Sequence, residues 1–216
     1  MKTLTITKEV YTFEELDESA KEHAREWWRE GALQYDWWEF VYDDFERICE
    51  ILGVEIANNP KNWNNGKGKQ IYFTGFWSQC DGASFAGSYR YKKGSCKAIR
   101  EEYAPLDEEL HRIADTLRDI QRIAFYNAIV SITQSGHYVH SNTMSFVVES
   151  YDDWTFPWSY EFCDKIAEEF EEPLRDLANW LYRALEKECD YLLSDESVDE
   201  SITINEYEFT VDGRIA

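Results

Sequence analysis

The spacing of apolar positions predicts a chain of helices interleaved with short strands. Thr12 followed by Glu15 has the form of a capping box, and Phe13, Leu16, Ala20, Ala24 and Trp27 then recur at helical intervals, which predicts a first helix from Thr12 to Gly31. Trp37, Phe40, Val41, Phe45, Ile48 and Leu52 keep that period over residues 36–52, with Asp44 as a polar exception in the same register and Gly53 as the stop. Val54–Ile56 reads as a short strand, and the polar run from Asn58 to Gly68 as a loop. Two alternating runs, Gln70–Ser78 and Ser84–Lys92, joined through residues 79–83, predict a hairpin.

Further along, Leu110, Ile113, Leu117, Ile120 and Ala124 form the apolar face of a helix expected over residues 106–125. A second hairpin is expected from Ala128–Gln134 and Tyr138–Glu149, joined across Ser135, Gly136 and His137. Residues 162–193 read as a long helix in which Pro173 marks a kink or the first turn of a separate helix. Ser194 opens a short last helix, and residues 207–211 have the pattern of an edge strand. The order ααββαββαα, with hairpins and no βαβ alternation, predicts the α+β class: an antiparallel sheet built from two hairpins with helices packed on it. No linker, repeat or low-complexity tract divides the chain, so a single α+β domain over residues 1–216 is expected.

Composition sharpens the functional reading. Aromatic residues make up 16% of the chain, enough ring area to offset the entropy of folding, which excludes an acidic disordered tail. Cys49, Cys80, Cys96, Cys163 and Cys189 are scattered without CxxC or CxxH spacing, so neither a zinc site nor a disulfide framework is expected. The first residues carry no apolar leader core, and no run of eighteen apolar residues occurs; the expectation is a soluble protein of the reducing cytosol with no membrane partner. Cys80 beside Asp81 is the one pairing with a nucleophile's look, and no phosphate loop, nucleophile elbow or HExxH motif accompanies it. His137 and His140 lie three apart, on opposite faces of a regular strand, which argues against a shared metal. No catalytic residue, metal or cofactor is therefore assigned, and binding rather than catalysis is expected.

Charge carries the firmest functional clue. The net charge of −21 repels long DNA or RNA. Residues 9–50 hold fourteen carboxylates against four basic residues, and residues 161–200 repeat that balance. Residues 58–100 reverse it, with eight Lys and Arg against Asp81 alone. A plain interpretation is that the helices have solvated acidic faces paired with the basic hairpin. The sharper one makes them a docking surface: Glu14, Glu18 and Glu22 on the first helix and Glu168, Glu169 and Glu172 on the long one meet a basic, nucleic-acid-binding surface of a host protein.

The hairpins offer an alternative. Rings alternate with Gly and small polar residues through residues 71–93, and Trp77, Ser78, Gln79, Asp81, Ser84, Arg90 and Lys92 join His137, Tyr138 and His140 of the second hairpin as candidate ligand-binding residues. Rings that stack on a base beside basic and hydroxyl donors suit a small nucleotide-like anion. The competing interpretation is that such rings are half core and half cross-strand pairs.

The segments FEELDESAKEHAREWWRE, IYFTGFWSQCDGASFAGSYRYKKG, LHRIADTL and GHYVHS resemble a family of uncharacterised proteins from phages and mobile elements of bacteria, some members of which are labelled the antitoxin of a toxin–antitoxin stability system. The resemblance covers most of the chain, and the hairpin motif is its most specific part. The commoner form of that motif has Gly where this chain has Cys80, a departure that weakens a nucleophilic role for the thiol. The resemblance implies a phage-type accessory or counter-defence protein, or an antitoxin-like partner of a toxin, and supplies no catalytic residues.

Overall fold

The computed structural model describes residues 8–59, 68–136, 138–151 and 158–216. Strand β1 (Tyr11–Thr12) leads through a 3-10 turn at Phe13–Glu15 into helices α1 (Glu18–Ala32) and α2 (Glu39–Leu52). Strands β2 (Val54–Ile56), β3 (Ile71–Phe73), β4 (Ala83–Phe85) and β5 (Gly87–Arg90) follow, then α3 (Ser95–Lys97), which runs on into a π-helical stretch at Ala98–Tyr103. After α4 (Glu108–Ile123) come β6 (Ala128–Gln134), a 3-10 turn at Ser141–Thr143 and β7 (Met144–Ser150). The chain closes with α5 (Tyr160–Leu192), α6 (Asp195–Ile204) and β8 (Glu208–Phe209). The class is α+β, with antiparallel strands and helices packed on them.

Two compact units make up the chain: residues to Glu39 together with Glu186–Ala216, and Phe40–Leu185. The smaller draws on both ends of the sequence, so no linker composition marks its border.

In the larger unit, one antiparallel sheet has the order β2-β5-β6-β7. Its alternation is clean: Ala128, Val130, Ile132, Met144, Phe146 and Val148 are buried while Ser145, Val147 and Glu149 are exposed, so helices cover one face. On that face the Tyr89 ring meets Phe170 of α5 at 5.4 Å, and its hydroxyl reaches the Leu117 carbonyl of α4 at 3.5 Å. Gln121, fully buried on α4, brackets the start of β6: its amide donates to the Ala128 carbonyl at 2.9 Å and accepts from the Ala128 N–H at 3.3 Å.

The first hairpin departs from expectation. The run Ser84–Lys92 is divided between sheets: β4 pairs with β3 in a separate two-stranded sheet, and after Ala86 the chain crosses so that β5 lies between β2 and β6. Gly87 permits that crossing, because a Cβ there would stand 2.1 Å from the Glu55 carbonyl oxygen. The second hairpin pairs as expected, with Gln134 opposite Met144, but residues 135–143 form a longer connector than three turn residues. Pro173 lies inside one continuous helix, α5, rather than dividing it.

In the smaller unit, Phe13, Leu16, Ala20, Ala24, Val198, Ile202 and Phe209 form the core, and β1 pairs with β8. The Thr12–Glu15 capping box is present, yet it caps a single turn. Leu16 is extended, and Asp17 acts as a second cap that accepts the Ala20 N–H at 2.9 Å and starts α1. Arg25, only 8% exposed, ties α1 to α6: Nε and Nη2 donate to the Asp199 carboxylate at 2.7 and 2.9 Å. No helix among the described residues is long and apolar enough to cross a membrane.

Candidate functional site

Helix α5 buries Ile166, Phe170, Leu174, Leu177 and Leu181, which leaves Glu161, Asp164, Glu168, Glu169 and Glu172 exposed on its first half. Residues 164, 168 and 172 recur every four positions, which sets successive carboxylates about 6 Å apart along one side of the helix. Ser141 and Asn142 of the connector between β6 and β7 stand across from this helix, and the two elements enclose a cleft of about 370 Å³ that Glu168, Glu172 and Arg175 also line.

The cleft's own cation is occupied. Arg175 Nη1 donates to Glu171 at 2.6 Å, Nη2 reaches the Met144 carbonyl at 3.5 Å, and the guanidinium lies over the Phe146 ring at 5.5 Å. Its Nε is buried with no hydrogen-bond partner among the described residues. Asp176, on the same wall, takes Arg112 at 2.6 Å. Glu168, Glu169 and Glu172 have no cation within 4.0 Å among the described residues.

The acidic residues of α1 behave differently. Arg25 Nη1 donates to Glu18 at 2.8 Å and to Glu22 at 3.2 Å, and Arg29 reaches Glu22 at 3.1 Å as well as Asp195. Glu14, on the preceding 3-10 turn, is exposed. Of the six acidic residues named for partner binding, Glu18 and Glu22 are thus paired within their own unit, and the three on α5 have no ion-pair partner among the described residues.

The candidate ligand residues separate into groups. At the tip of the β3–β4 hairpin, Asp81 Oδ2 accepts the backbone N–H groups of Trp77 at 3.0 Å and Ser78 at 2.7 Å. The Asp81 carboxylate thereby takes the amides an incoming anion would use. Trp77 is 80% exposed, and Ser78 and Gln79 are exposed beside it. The tip does meet the second hairpin: a Cβ on Gly82 would stand 2.8 Å from the His140 ring. Nδ1 of His140 accepts the Asn142 N–H at 3.0 Å, so in the neutral ring the proton is on Nε2. Tyr138 is exposed in the same connector, and its carbonyl accepts from Gln134 at 3.2 Å. His137 lies outside the described residues. Ser84 is elsewhere, fully buried opposite Tyr72, with its hydroxyl unpartnered among the described residues.

Arg90 and Lys92 belong to the other end of the sheet. Arg90 pairs with Ile129, five residues along β6 from Gln134, a separation of about 17 Å. Its guanidinium lies over the Tyr151 ring at 5.5 Å. Lys92 donates to the Glu50 carbonyl at 2.6 Å and, with Arg47 and Lys93, lines a second cleft of about 410 Å³. Lys97 and Arg100 are taken up by Glu101 and Asp115 at 3.7 and 2.7 Å, while Lys61 and Lys67 lie outside the described residues. No group of three or more His, Cys, Asp or Glu side chains able to hold a metal occurs among the described residues.

Sequence reasoning did not single out Arg47, Asn142 or Arg175. No local pattern marks them, because each acquires its place only when distant elements pack together.

Residues 37–195 match a family described as a domain of unknown function, DUF8835, a range that contains the whole larger unit. No curated protein and no solved structure matches the chain.

Proposed function

We propose that this chain, which belongs to the DUF8835 family, works by binding, and that the acidic first half of α5 with its adjoining cleft receives the basic surface of a partner protein. The observation that carries this reading is that Glu168, Glu169 and Glu172 have no ion-pair partner within 4.0 Å among the described residues, next to a cleft whose arginine is already engaged. Carboxylates without a close ion pair project a negative field, steer a cationic partner toward them and pair on contact with its lysines and arginines. A partner surface that otherwise holds nucleic acid has that chemistry. The setting of a phage-type accessory or counter-defence protein in the host cytosol, or of an antitoxin facing its toxin, rests on the sequence resemblance.

The experiment captures host proteins on the immobilised chain, identifies them by mass spectrometry, and measures the captured partner's affinity for the native protein and for Glu168→Arg with Glu172→Arg. Charge reversal should weaken binding by at least about tenfold, and affinity should fall as salt rises. An affinity indifferent to both changes overturns the reading.

The sequestration of a small nucleotide-like anion is favoured by one observation, the cleft that Arg47, Lys92 and Lys93 share. A nucleotide panel followed by thermal shift on the same preparations separates the two readings.

A further inference from the structure

We propose that the smaller unit contains a binding site for an alkylated ammonium group, formed by the rings of Trp27, Trp28 and Tyr207 with the Glu30 carboxylate beside them. The rings gather for a local reason. Glu206 ends α6 with a φ of 54°, and this left-handed residue turns the chain so that Tyr207 folds back onto α1. The Tyr207 ring then lies 5.2 Å from Trp27 at 78° and 5.6 Å from Trp28 at 57°, while the two indoles are inclined at 60° to each other.

The three ring planes are thus inclined steeply to one another and do not stack in parallel. Together they line a cavity of about 500 Å³ that Tyr35, 58% exposed, also borders. Gly31 leaves one wall open, since a Cβ there would touch nothing within 4 Å. The charge around the cavity is one-sided. Glu30 lines it without a counter-ion among the described residues, whereas Arg29, its neighbour in sequence, is turned to the Leu193 carbonyl, Glu22 and Asp195. No lysine or arginine among the described residues borders the space.

A cavity lined by several aromatic rings and one carboxylate selects a cation with spread, weakly hydrated charge. The quadrupole of each ring attracts it, and its methyl groups leave water at little cost. A bare lysine ammonium holds its water more strongly and gains less. The residues concerned lie outside the range 37–195, so membership of the family does not imply this site.

The test uses the full chain and follows tryptophan fluorescence and calorimetry with choline, with the uncharged tert-butyl isostere of choline, and with a basic peptide carrying trimethyl-lysine or plain lysine. Choline should quench saturably and bind at least about tenfold tighter than the isostere, the difference being the cation–π contribution. Glu30→Gln should weaken binding severalfold with unchanged melting, and Gly31→Leu should block it with melting no lower than that of the native protein, because neither touches the core and leucine favours the helix more than glycine does. A trimethyl-lysine peptide that binds tighter than choline assigns a protein-borne ligand, and a weaker one assigns a free small ammonium. Absence of a saturable response to either ammonium, or equal binding of the uncharged isostere, overturns the site.

Discussion

At the scale of single residues, the polar exception in α2 shows how a side chain's task is set by a partner far along the chain. Asp44 breaks the apolar register, and the structure gives it a purpose: its carboxylate accepts a hydrogen bond from the hydroxyl of Tyr103, which ends the π-helical stretch after α3. Partial burial, and then that bond, push the Tyr103 phenol up to about 12. The neutral phenol is therefore the form the fold prefers. Its contribution is complete below the unfolded value of about 10 and is lost as pH rises toward the folded value. Denaturant midpoints followed across the alkaline range should fall for the native protein and fall less steeply for Tyr103→Phe, which should also begin lower near neutrality. Parallel slopes would show that the bond carries no linkage. Asp44 stood out in the sequence, whereas nothing near it named Tyr103.

At the scale of elements, helix boundaries were decided by competition between local signals. Thr12 and Glu15 form the capping box their spacing predicts, but Asp17 caps more effectively five residues later, so α1 begins at Glu18. The division of the Ser84–Lys92 run between two sheets is a tertiary decision, because strand alternation reads the same whichever neighbour the strand takes. The far end of α6 shows a local cost accepted for a tertiary contact. Glu206 holds a left-handed conformation that costs a side-chain-bearing residue about 1 kcal/mol relative to glycine. Glu206→Gly should therefore raise stability by up to about 1 kcal/mol in denaturant unfolding while Tyr207 keeps its place on Trp27, read as an unchanged near-ultraviolet spectrum. A loss of stability would mean that the glutamate side chain itself contributes.

At the scale of the whole molecule, the net charge of −21 acts on both folding and association. Like charges at this density repel one another in the compact state, so the first additions of sodium chloride, which shorten the Debye length from about 30 Å to about 10 Å, should raise the unfolding midpoint. A midpoint that falls with salt would show that internal pairs such as Arg25–Asp199 outweigh the repulsion. The same screening should weaken docking on α5, so the proposed function predicts opposite responses of stability and affinity to one variable.

The amino-acid sequence by itself determined the α+β class, most helices, β2, β6, the second hairpin and the acidic character of α1 and α5. Those properties depend on periodicity, caps and composition within a few residues of one another. Tertiary structure alone decided which carboxylates remain available. Glu22 and Glu168 look alike on acidic helical faces, yet Glu22 meets two arginines while Glu168 meets none among the described residues. It also decided that Gly82 touches His140 while Lys92 lies at the far end of the sheet. Pairing and desolvation act across space between side chains as far apart in sequence as Arg25 and Asp199, separated by 174 positions, and no pattern along the chain records that distance.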